Sequence, residues 1–171
     1  MMKGAQKIAA APPPPKIITN INRDRERVVN AYAGAAALPG DAARGRLLYT
    51  AVCSACHRLK NEGNEIGPDL GTVAAKPTEQ LLEAILDPNR AVEQRYLAQT
   101  VTLKDGRQLL GMIAEETANS ITLKLGAITE VILRGSIARS ETGTKSMMPD
   151  GLESVLNQQQ VADVLAWIRA K

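Results

Sequence analysis

Both cysteines and the single histidine of this 171-residue chain fall within one pentapeptide, Cys53-Ser54-Ala55-Cys56-His57. Two thiols three positions apart, with an imidazole directly after the second, form the spacing of c-type haem attachment. The thiols add to the two vinyl groups of the macrocycle, and His57 is left beside the iron as proximal ligand. Such a group constrains the fold, because its iron, ring faces and edge all need protein around them. Two other chemistries use similar spacings. A structural zinc site closes with four Cys/His ligands, and this chain has three at most, so carboxylates would have to complete it. A thioredoxin-like dithiol sits at a helix start in a βαβ context, a pattern absent here. The bland alternative is a chance pentapeptide of two small thiols and a packed histidine.

Residues further along favour the haem. Ile66-Gly67-Pro68-Asp69-Leu70 is a rigid turn. A ligating histidine donates its second ring N–H to a carbonyl or carboxylate, and the Pro68 carbonyl is the candidate acceptor. A sixth iron ligand should be a soft side chain far along the chain. Ser146-Met147-Met148-Pro149-Asp150-Gly151 offers two methionines in a polar, irregular segment. Met1 and Met2 belong to the start of the chain, and Met112 lies in a strand-like run. Met148 is the preferred ligand because Pro149 stiffens the loop beside it, with Met147 as the alternative. Methionine also fills packing gaps, so an incidental surface loop is the competing reading. Thioether plus imidazole ligation raises the reduction potential, which suits electron transfer rather than oxygen chemistry.

The order of CxxCH, the Gly67–Leu70 loop, the Met148-Pro149 loop and a final amphipathic helix resembles the class I cytochrome c family. The resemblance covers about residues 41–90 and 143–171. It implies iron ligation by His57 and Met148 and a hydrogen bond from His57 to the Pro68 carbonyl. Residues 91–142 depart from it as an insertion. The whole is similar to the haem-binding domain at the C-terminal end of large secreted proteins of Planctomycetes and Verrucomicrobia. There it is often fused to dehydrogenase-like propeller domains.

Hydrophobic residues make up 44% of the chain but aromatic residues only 2%, with no Phe. A haem would supply the large flat apolar body that such a core lacks. The net charge of +3 is mild. No basic run interleaved with aromatics points to nucleic acid. No run of about 18 apolar residues predicts a transmembrane helix. Residues 1–20, with Ala11-Pro12-Pro13-Pro14-Pro15-Lys16, read as a flexible, extended linker. No leader is recognisable in residues 1–15. Haem attachment to CxxCH takes place beyond the bacterial cytoplasmic membrane. The expectation is therefore a periplasmic or exported protein whose leader is absent from this chain, cut from a longer parent.

The predicted architecture is a mainly α cytochrome c fold, residues 21–90 and 143–171, with an extra N-terminal helix over 23–37. Helix 42–52 is capped by Asp41 and should turn Leu47, Leu48 and Val52 to the core. Helix 77–86 carries a stripe of Leu81, Leu82, Ile85 and Leu86. The final helix starts at a capping box, Asn157 with Gln160, and buries Val161, Val164, Leu165 and Ile168. Gly45, Tyr49 and Trp167 are candidates for the crossing of the first and last helices.

Residues 91–142 alternate and are rich in β-branched side chains, with a hairpin signal at Lys104-Asp105-Gly106. Strands are expected at 96–103, 107–114, 120–125 and 127–133, with 137–139 as a fifth. They predict a small all-β barrel of Sm or SH3 type, giving α+β overall. Its role as haem shield, docking surface or homodimer contact is open.

Three functions follow. The first is an electron carrier, not an enzyme, holding one haem c per chain. Its donor would be a dehydrogenase and its acceptor a cytochrome or oxidase. The second is a haem sensor or peroxidase-like enzyme with a labile methionine. The third is a binding module in which the barrel acts and the haem is accessory.

Overall fold

The computed structural model describes residues 14–171, so the first thirteen residues of the expected linker lie outside the described part. Ile17–Thr19 forms a short strand, β1, paired antiparallel with β2, Ala91–Glu93. The expected linker over 1–20 therefore gives way to paired backbone by Ile17.

α1 spans Arg23–Ala31 and is capped by the Asn22 side chain. Val28, Val29 and Tyr32 pack on the helical core. A 3₁₀ turn over Ala33–Ala37 replaces the rest of the expected helix, and Pro39-Gly40 ends it. α2 covers Ala42–Leu48, with Asp41 accepting the Arg44 N–H at 2.9 Å. A wider π-turn over Tyr49–Cys53 then delivers the chain into the pentapeptide. α3 is the single turn Leu70–Val73, α4 is Thr78–Leu86 and α5 is Gln158–Arg169, which opens on the expected capping box.

α2 and α5 cross at Gly45. A Cβ there would lie 1.9 Å from the Asp163 carbonyl oxygen and 2.9 Å from the Trp167 Cβ, so only glycine lets the backbones approach this closely. This contact sets the inward face of α2. Leu48, Tyr49 and Val52 follow Gly45 at i+3, i+4 and i+7 and turn inward with it. Leu47 sits about 200° around the helix from Gly45. It is 71% exposed, against the expectation that it would face the core.

The β region is β3 (Leu97–Leu103), β4 (Gln108–Glu116), β5 (Ser120–Leu125), β6 (Ile128–Leu133) and β7 (Ile137–Ser146). The order is β6-β5-β4-β3-β7, and every pairing is antiparallel. The expected small all-β barrel appears as a separate, curved antiparallel sheet with β6 and β7 at its edges, and no closure between them is shown. Irregular register at Ile113/Glu115 in β4 and at two points between β3 and β7 bends the sheet. The bend leaves a cavity of about 710 Å³ whose floor includes Ile113, Ile121 and Ile137. The core of the sheet is Val101, Leu103, Ile121, Leu123 and Ile132. β7 is far longer than the three residues expected and runs to Ser146, directly into Met147-Met148.

Candidate haem site

The pentapeptide hangs from the π-turn, where the His57 N–H donates to the Cys53 carbonyl at 2.9 Å and the Cys56 N–H to the same oxygen at 3.1 Å. The following loop then folds back along it. The Asn64 N–H donates to Ser54 O, the Ile66 and Gly67 N–H groups to Cys56 O, and the Leu70 N–H to Arg58 O, at 2.8–3.0 Å. Leu59 and Glu62 exchange both backbone bonds around Lys60 and Asn61, which hold φ of 51° and 67°. Positive φ at both central residues is the geometry of a tight type I′ turn.

These ladders bring Pro68 over His57. The ring Nδ1 lies 2.8 Å from the Pro68 carbonyl oxygen. A carbonyl can only accept, so Nδ1 carries the hydrogen and the Nε2 lone pair is free for a metal. Burial pushes the imidazole pKa below its ordinary value, and the Pro68 bond opposes this. Gly67 lies flat against the same ring. A Cβ at Gly67 would meet His57 Cε1 at 2.4 Å and Nδ1 at 2.7 Å.

Tyr49 was expected only at the helix crossing, and the structure adds a second role. Its ring is fully buried among Leu59, Val164 and Ile168. Its hydroxyl lies 2.7 Å from the His57 carbonyl and 2.8 Å from the Glu62 carbonyl. One phenol thus ties the histidine backbone to the loop. Trp167 and Cys53 both pack on this cluster, and the Lys60 ammonium caps the indole at 3.7 Å from its centroid. Asp163, which sequence reasoning missed, locks the crossing from α5. Its carboxylate accepts from the Asp41 N–H, from Arg44 Nε and Nη2 and from Gln159 Nε2 at 2.8–3.1 Å. The Arg44 guanidinium is the main cause that holds this carboxyl at about 2.

Cys53 and Cys56 are free and half-buried. Burial, with a smaller contribution from Cys56, pushes the Cys53 thiol up to about 11, and burial raises Cys56 as well. A redox dithiol needs the opposite shift. Among the described residues no three His, Cys, Asp or Glu side chains gather as a metal-binding group. Two free thiols beside an imidazole with a fixed tautomer therefore suit covalent haem better than a dithiol switch or a closed zinc site.

Met147 and Met148 follow β7 in a bend, and both are half-buried, so burial does not separate them. The Met147 N–H donates to the Tyr96 carbonyl at 3.3 Å and the Met148 N–H to Ser146 Oγ at 3.1 Å. Beyond them, Arg25 of α1 pairs with Glu153 through two nitrogens at 2.7 and 2.8 Å and also donates to the Leu86 carbonyl. The Tyr32 hydroxyl reaches the Glu153 and Leu156 carbonyls. The extra N-terminal helix thus anchors the chain just after the methionines.

Residues 42–122 match the Cytochrome c family model. The match supports a haem-binding electron-transfer module of c type in a mixed helix-and-sheet chain. It takes in α2, the pentapeptide and the Pro68 loop, and ends inside β5, before Met147, Met148 and α5. No curated protein matches the chain. Among the described residues no helix is long and apolar enough to cross a membrane.

Proposed function

We propose that this chain is an electron carrier in which one haem c is bound through Cys53 and Cys56, with His57 and Met148 as axial ligands. The bond between His57 Nδ1 and the Pro68 carbonyl, within a CxxCH whose cysteines are both free, carries this reading. The haem iron, once bound, takes up and releases a single electron. Every other contribution is the protein's own. Cys53 and Cys56 would hold the haem, each by adding its S–H across a vinyl double bond with no atom leaving. The Pro68 carbonyl holds the imidazole tautomer and makes the ring a better donor. Gly67 and the Tyr49 hydroxyl hold the ring and its backbone. The Met148 thioether would be the second protein ligand to the iron, a donor set that suits electron transfer.

The wider setting follows the same reading. The chain is the haem module of an exported, periplasmic or secreted parent of the planctomycete and verrucomicrobial type. A dehydrogenase-like domain or partner is its donor, and a cytochrome or oxidase its acceptor. The free edge β6 exposes Ile128, Val131 and Leu133, which supports pairing of two copies through the β insertion.

The attachment is tested by denaturing the holoprotein and weighing the chain. Wild type keeps its haem, each single Cys→Ala variant keeps it through one thioether, and the Cys53→Ala/Cys56→Ala double variant loses it. A wild-type chain that sheds its haem on denaturation contradicts covalent attachment.

A further inference from the structure

The segment that carries Met148 is bracketed by one side chain from a distant turn. Asn89 lies just after α4, in a turn fixed by the Arg90 N–H donating to Asp87 O at 3.0 Å. Its Oδ1 accepts the backbone N–H of Ser146 at 2.8 Å. Its Nδ2 donates to both carboxylate oxygens of Asp150 at 3.0 Å. The donor-acceptor pattern fixes the amide orientation, since an N–H faces Oδ1 and a carboxylate faces Nδ2. Ser146 and Asp150 flank Met147-Met148-Pro149 on either side. A single planar amide therefore closes the ends of the loop on each other.

The backbone that carries the amide is itself held. Asn20 Nδ2 donates to the Asn89 backbone carbonyl at 3.2 Å and to the Thr144 carbonyl at 3.3 Å. The Asn20 N–H donates to Arg90 O at 3.2 Å. The turn after α4, the N-terminal segment and the end of β7 are thereby one unit.

We propose that Asn89 is a positioning residue for the axial methionine: its amide, bonded to Ser146 and Asp150, holds the Met147–Pro149 loop closed so that Met148 is presented to iron. This rests on the His57/Met148 reading above. A thioether is a weak, soft ligand, and a loop ordered in advance does not have to be ordered by forming the iron bond. The Asn89 side chain bonds to the methionine loop and not to the pentapeptide, so its effect should appear at the methionine and not at haem attachment.

The experiment compares wild type, Asn89→Ala, Asn89→Asp and the exchange Asn89→Asp/Asp150→Asn, each as holoprotein. The readouts are the far-red methionine–iron band of the oxidised protein, carbon monoxide binding by the reduced protein, and amide exchange at Ser146. Asn89→Ala should weaken the band, speed carbon monoxide binding on the order of tenfold or more and unprotect Ser146. Asn89→Asp should weaken the band and speed carbon monoxide binding by setting two carboxylates against each other, although its Oδ1 can still accept from the Ser146 N–H. The exchange keeps both bonds, because the carboxylate now at position 89 accepts from the Ser146 N–H and from the amide now at position 150. It should restore all three readouts. Should Asn89→Ala fail to fold, the isosteric pair decides the matter. A full band and inert haem in both single variants would overturn the inference alone. A wild type with no methionine band would overturn the ligation reading and this inference with it.

Discussion

The carbonyl oxygen of Pro68 lies 2.8 Å from Nδ1 of His57, eleven residues back along the chain, and Gly67 fits against the imidazole only because it has no side chain. The contact rests on strand-like hydrogen bonds between the pentapeptide and the loop that follows it, and it leaves Nε2 as the free ring nitrogen.

Gly67→Ala should therefore push the imidazole away. Its Cβ would sit 2.4 Å from Cε1, with a cost of about 1–3 kcal/mol from overpacking. Haem loading should fall sharply and the remaining spectrum should shift. Gly71→Ala is the matched control, since its Cβ meets nothing closer than 3.1 Å. Equal haem content in the two variants would contradict the placement of the ring.

Gly45→Val should separate α2 from α5, because even a Cβ would overlap the Asp163 carbonyl. Denaturant unfolding should show a loss of about 1–3 kcal/mol or more.

The Asp163 carboxyl lies at about 2, held down first by Arg44, while an unfolded aspartate titrates near 3.9. The ionised form is favoured by folding, so its contribution is complete above about pH 4 and fades as the pH falls through 2. Asp163→Asn should cost about 1–2 kcal/mol at pH 7, discounted because the Arg44 partner is half exposed to water. The gap between variant and wild type should close in acid, as followed by unfolding midpoints from pH 7 to 2.

Much of this site could be read in the chain, because its determinants are local. The CxxCH spacing, the Asn157–Gln160 capping box and the Asp105-Gly106 hairpin are each set within a few residues, and the Pro68 acceptor lies only eleven residues after His57. What escaped depends on partners far along the chain. Leu47 has the hydrophobicity of a core residue, and its exposure follows only from the Gly45 crossing. Asp163 and Asn89 look like ordinary polar residues until Arg44, Ser146 and Asp150 come to meet them. The antiparallel strands of the insertion were legible, but strand signals carry no information on whether the last edge meets the first. The length of β7 escaped because its residues are mostly exposed and polar, with no alternation to mark them.

Met148→Ala should give a five-coordinate haem that binds carbon monoxide and has a lower potential, since the thioether is what raises it. Met147→Ala should stay close to wild type. Reversed results would assign the iron to Met147.

The most direct test of the central claim is the absorption spectrum of the holoprotein, oxidised and reduced, followed by carbon monoxide. A sharp c-type spectrum on reduction, a far-red methionine band on oxidation and no response to carbon monoxide near neutral pH are expected of a His57/Met148 electron carrier. Rapid, tight carbon monoxide binding by untreated wild type, or a protein that takes up no haem, would contradict it.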